Sequence, residues 1–114
     1  MPILNYKLSF ADSARQDQKM LKSYILREFK YKEYGKSFDT KMKSAAKVIK
    51  HTASSIRPTS FFYRGYSIFM LTHKTYLFFY VVNEETKMIT VLRVLKEGRE
   101  WMKIIKKWIG APLK

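Results

Sequence analysis

The chain predicts an α+β fold in the order β-α-α-β-β-β-α: an N-terminal strand, a helical hairpin packed on a mostly antiparallel sheet, and a short C-terminal helix. Three observations carry this. Residues 3–10 alternate with period two, and residues 13–53 recur at helical spacing. From residue 66 the chain is dense in β-branched and aromatic residues, broken by short turn segments.

The first strand places Tyr6, Leu8 and Phe10 on one side and Asn5, Lys7 and Ser9 on the other. From Asp12 the period changes. Ala14, Asp17 or Gln18, Leu21, Tyr24, Ile25, Glu28 and Phe29 mark a helix from about 13 to 30, with Asp12 or Ser13 available as its N-cap. The basic and aromatic stretch Lys30 to Gly35 breaks it, and Phe38, Met42, Ala45, Ala46, Ile49 and Ala53 lay an apolar stripe along a second helix. Small Ala45 and Ala46 allow close approach of the first helix, so the two form a hairpin. Lys36, Lys43, Lys47 and Lys50 fall largely on the opposite face. Residues 51–60, rich in Ser and Thr and carrying Pro58, close the helical half.

Residues 66–71, 76–82 and 88–95 then read as an antiparallel meander with turns at 72–75 and 83–87. A last amphipathic helix carries Trp101, Ile104, Ile105, Trp108 and Ile109 on one face and is ended by Gly110 and Pro112. The helices are expected together on one face of the sheet.

Length bounds the architecture: 114 residues suit one domain, 1–114, and 46% apolar with 16% aromatic residues supply one core. Without cysteine there is no disulfide framework, thiolate zinc site or cysteine nucleophile, and two histidines are too few for most histidine-only metal sites. No metal or cofactor is therefore expected. The amino terminus lacks the pattern of a secretory signal and no apolar run reaches spanning length, so the expected location is the cytoplasm. The net charge of +14, spread along the whole chain, points to a polyanionic partner: nucleic acid, an anionic membrane surface or an acidic protein.

The order of elements and the text of the last strands carry a resemblance. Tyr76-Leu77-Phe78-Phe79-Tyr80-Val81-Val82-Asn83, then Ile89-Thr90-Val91-Leu92-Arg93-Val94-Leu95, then Gly98-Arg99-Glu100-Trp101, resembles the RelE/ParE superfamily of bacterial toxins. Tyr6-Lys7-Leu8, Asp17, Tyr24-Ile25 and the stripe from Phe38 to Ile49 agree more weakly. The resemblance implies the RelE/ParE-like fold and a toxin of a type II toxin-antitoxin module. Such a toxin arrests growth and is held inactive in a hetero-oligomer by an acidic cognate antitoxin.

It also implies a choice of target. ParE-like members poison DNA gyrase, whereas RelE-like members cut mRNA on the ribosome with Lys, Arg and Tyr side chains and no metal. Metal-free RNA cleavage needs a base for the 2′-hydroxyl, cations for the phosphate and an acid for the leaving oxygen. The resemblance would put an arginine where this chain has Tyr76, and Trp101 stands near the position of an acid it cannot replace. The nuclease candidates are Arg64, Arg93, Lys96 and Arg99. Those four, with Trp101, Lys43, Lys47 and Lys50, are the candidate target or antitoxin contacts.

Each has a plainer reading as well. Arg93, expected on one sheet face with Ile89, Val91 and Leu95, reads either as a phosphate or target contact or as an ion pair with Glu97, Glu100 or an acidic partner. Arg64 is also a simple edge charge, the Lys row a solvated helix face, and His51 and His73 polar surface residues. Phe61, Phe62, Tyr63, Phe78, Phe79 and Tyr80 read as core, with base stacking open to any that face outward. The sequence favours a ParE-like growth-arresting toxin, with a RelE-like mRNA endonuclease as the alternative. A third reading is a harmless basic module for nucleic acid or membrane, for which the terminal helix offers an amphipathic face.

Overall fold

The computed structural model describes residues 6–29, 31–53, 56–98 and 100–110. Its elements are β1 (Lys7–Phe10), α1 (Asp12–Phe29), α2 (Lys32–Thr52), β2 (Pro58–Tyr63), β3 (Tyr66–His73), β4 (Tyr76–Asn83), β5 (Met88–Lys96) and α3 (Trp101–Gly110). The strands form one sheet in the order β1-β5-β4-β3-β2. β1 runs parallel to β5, and the remaining neighbours are antiparallel.

The α+β class and the order of the expected elements hold, with one strand added. β2 occupies part of the segment expected to be a closing loop. Its Pro58 lacks a backbone donor, a fault in a central strand but not at an edge. β2 pairs only with β3, and its ladder shifts register between Pro58 and Phe62. Gly35, expected to break the helices apart, instead lies inside α2 and is buried. A Cβ there would stand 3.0 Å from Leu26 Cδ2, so the missing side chain lets α1 approach α2. The salt bridge from Lys22 to Asp39, 2.8 Å long, joins the helices nearby.

β4 is the centre of the molecule because its alternate side chains enter two cores. Tyr76, Phe78 and Tyr80 join Phe38, Met42, Ala45 and Ile49 of α2, with Ala14 of α1. Leu77, Phe79 and Val81 join Ile105 of α3, flanked by Trp101, Ile104 and Trp108. The hairpin and α3 therefore cover opposite faces of the sheet, which corrects the expectation that all helices share one. Phe78, Phe79 and Tyr80 are fully buried, whereas Phe62 is 57% exposed and is not core. α3 docks through rings: Trp108 stacks on Tyr63 with centroids 5.0 Å apart, and Trp101 lies 5.4 Å from Phe79.

A bulge in β5 decides where Arg93 points. Tyr80 pairs with Val91 and Phe79 with Arg93, leaving Leu92 as the extra residue. Beyond it the parity of the strand flips. Arg93 consequently shares the α3 face with Leu95 and leaves the face of Ile89 and Val91, contrary to strict alternation. Its guanidinium lies 5.4 Å from the Trp108 ring centroid.

β1 pairs with β5 only as far as Val91, so the last residues of β5 lack a strand on that side. Ala11, just before α1, and the first turns of α1 supply the missing partners. The Ala11 amide donates to Val91 O at 2.9 Å, and the Ser13 hydroxyl, expected as a possible cap, donates to Leu92 O at 2.7 Å. Asp17 then accepts from the Val94 amide at 2.9 Å and from Arg93 Nε and Nη2 at 2.6 and 2.9 Å. Both side chains are largely buried, at 17% exposure for Arg93 and 12% for Asp17.

Removing one half of such a pair strands a charge and an amide. Asp17→Ala is expected to lower unfolding free energy by about 2–4 kcal/mol in a urea titration. Arg93→Ala should cost a similar amount, and the double variant clearly less than the sum. Alkaline pH tests the core. Burial raises the Tyr80 phenol far above its ordinary value of 10.0, and Tyr76 in the same direction. The unfolded chain then loses these protons first, so stability falls above pH 10, by up to about 1.4 kcal/mol per pH unit for Tyr80, with Tyr76 acting in the same direction. Tyr80→Phe is expected to flatten that slope by one phenol's share, read from urea midpoints between pH 9 and 11.

Candidate functional site

α1 is in contact with β5 through its first turns, and its last turn is exposed. Its 18 residues span about 27 Å. Leu21 and Ile25 still pack on the core, whereas the apolar residues toward the hairpin tip are left exposed. Tyr24 and Phe29, which mark the helical period of α1, are each 50% exposed, with Tyr34 at 47%. Phe29 and Tyr34 lie 5.0 Å apart and Tyr31 is 6.1 Å from Tyr34, so the tip is an aromatic cluster.

Between this tip and the end of β5 lies a groove of about 910 Å³. Tyr24, Phe29 and Tyr34 line the hairpin side; Tyr76, Val94, Leu95 and Lys96 line the strand side, and Ile104 of α3 reaches it too. Phe38 and Tyr76 meet edge to face at 5.5 Å in its floor. The charged lining is one-sided. Asp17 is neutralised by Arg93, leaving Arg27, Lys41 and Lys96 with no ion-pair partner among the described residues. Lys96 Nζ donates to Thr75 Oγ1 at 3.1 Å and sits 5.2 Å from the Tyr76 ring centroid. An apolar, aromatic trough whose cations lack a carboxylate partner among the described residues suits an amphipathic acidic segment.

The sequence candidates are divided. Arg93 and Lys96 line the groove, although Arg93 is committed to Asp17 rather than to Glu97 or Glu100. Trp101 packs under α3 against Phe61 and Phe79, outside the lining. Arg64 lies in the β2–β3 turn with φ 51° and its guanidinium 5.2 Å from the Tyr63 ring centroid. The meander puts that turn at the end of the sheet opposite to Lys96, so Arg64 and Lys96 do not converge. Lys43, Lys47 and Lys50 are exposed on the outer face of α2, away from the groove. Arg99 lies outside the described residues. His51 is exposed, and His73 Nε2 lies 2.9 Å from Ser44 Oγ, tying the β3–β4 turn to α2.

Arg27, Lys41, Tyr24, Phe29 and Tyr34 were not singled out as site residues from the sequence. Part of the signal is there, as an apolar stripe that runs to the end of α1, but which of its residues are covered is settled only by the packing.

No protein-family description and no curated protein matches the sequence. Solved structures do. A chain from the chromosomal ParDE toxin-antitoxin system of P. aeruginosa is 15% identical, over 81% of this chain and 96% of its own, with a TM-score of 0.64. One from the RelBE2 toxin-antitoxin complex of Mycobacterium tuberculosis is 18% identical, over 81% and 98%, with a TM-score of 0.53. The fold of this chain is thus RelE/ParE-like.

Proposed function

We propose that the chain is the toxin of a type II toxin-antitoxin module, neutralised by an acidic antitoxin seated in the groove between the hairpin tip and β5. The observation that carries this is the groove itself: an aromatic wall of Tyr24, Phe29 and Tyr34, half-exposed in the isolated chain, beside Arg27, Lys41 and Lys96, which have no ion-pair partner among the described residues. Such a surface calls for a partner that covers apolar area and supplies carboxylates. The fold shared with chains from two toxin-antitoxin structures supports the same reading.

For the target, the ParE-like reading comes first, with DNA gyrase as the candidate. The dispersion of Arg64 and Lys96 to opposite ends of the sheet supports binding over catalysis at one phosphate. The endonuclease reading retains one observation, the cation Lys96 beside the phenol of Tyr76 at the groove. That phenol is buried, and desolvation raises its pKa, which makes it a weaker proton donor and leaves the endonuclease reading second. No helix among the described residues is long and apolar enough to cross a membrane.

Induced expression is expected to arrest bacterial growth, and co-expression of the cognate antitoxin to restore it. The purified chain should inhibit gyrase supercoiling at micromolar concentration; unchanged supercoiling with codon-phased cuts in translated messages would move the assignment to the endonuclease. Tyr24→Asp and Phe29→Asp, both at half-exposed positions, should each weaken the antitoxin complex roughly 30-fold or more by calorimetry while the melting temperature holds.

A further inference from the structure

The outer face of α2 carries a second charged feature that the groove does not use. At 100° per residue, Lys32, Lys36, Lys43, Lys47 and Lys50 fall within an arc of about 60° along roughly 27 Å of helix. All five are exposed, and none has an ion-pair partner among the described residues. The carboxylate nearest this arc on the helix, Asp39, is bound to Lys22 of α1. The Ser44–His73 contact holds the β3–β4 turn against the same helix, which adds exposed Lys74 alongside the row.

We infer that this lysine ridge binds the phosphate backbone of a nucleic-acid duplex without reading its sequence. The spacing fits a linear polyanion, since a duplex presents one charge per about 1.7 Å of axis and the ridge would run beside about eight base pairs. The residue types set the mode. Lysines are point charges that neutralise phosphates, and the ridge has no Arg, Asn or Gln to engage base edges. A membrane surface fits less well, because an interfacial helix needs a free apolar face and that of α2 is spent on the core. The inference does not rest on the toxin reading, and DNA and RNA duplexes share the chemistry it invokes.

The test is fluorescence anisotropy of the purified full chain with a 20-base-pair DNA duplex and an RNA hairpin of equal stem length, across a salt series. Anionic phospholipid vesicles form a third arm. The wild-type affinity should fall with a log–log salt slope of about −4. The triple substitution Lys43→Gln, Lys47→Gln, Lys50→Gln should reduce that slope by about 3 and weaken duplex binding roughly tenfold or more. Lys103→Gln, Lys106→Gln, Lys107→Gln on α3 removes the same net charge and should change affinity less than about threefold. Equal melting temperatures establish that both variants fold. Tighter binding to the DNA or to the RNA stem identifies the biological source. Equal losses from the two triples would reduce the effect to net charge and overturn the ridge, as would vesicle binding that depends on the α2 lysines while duplex binding does not.

Discussion

The open side of β5 is the constraint on which the rest of the structure depends. A strand whose neighbour ends early exposes backbone groups that must be paired or solvated. Here Ala11, just before α1, and Ser13 and Asp17 of α1 pair them, in chain order, at successive points from Val91 to Val94. That contact sets the position of α1 on the sheet, and α2 follows α1 through the Gly35 approach and the Lys22–Asp39 bridge. Arg93 extends the linkage to the far face, because the guanidinium held by Asp17 also lies over Trp108 of α3. One carboxylate thus couples a strand edge to helices on both faces.

The division of β4 between two cores explains how a chain of 114 residues supports three layers. A strand buried on both faces contributes apolar area twice, and Phe78 and Phe79 do so with no exposed surface. The cover is incomplete, because the aromatic residues at the hairpin tip stay half-exposed. The aromatic groove lies between that tip and the end of β5, so the candidate partner site adjoins the same elements that build the core. The groove and the α2 ridge face different ways, and separate surfaces leave room for a protein partner and a polyanion on one small body.

Much of the architecture was legible in the chain. Alternation of Tyr6, Leu8 and Phe10 marked β1, the stripe from Phe38 to Ile49 marked α2, and β-branched and aromatic density marked the last three strands. β2 was hidden because Pro58 and its Ser and Thr neighbours carry loop chemistry, and an edge position tolerates what a central one would not. Gly35 read as a breaker for a similar reason: helix propensity disfavours glycine by about 1 kcal/mol, which the close contact with α1 outweighs. Candidate site residues were less legible. Lys96 and Arg93 reach the groove, yet spacing alone gives no sign that Tyr24 and Phe29 of its aromatic wall stay half-exposed.

By itself the sequence determined the α+β class, the order of the expected elements, the basic character of the surface and the lysine row on α2. These depend on periodicity and composition, which are local properties. Only the tertiary structure decided that Arg93 turns toward α3, that Asp17 is its partner, that Tyr24 and Phe29 stay uncovered, and that Arg64 and Lys96 stand apart. The physical reason is common to all four. Periodicity tells which side of an element is apolar, but a single bulge reverses a strand's parity, and how far a neighbouring strand extends decides whether an apolar side is covered.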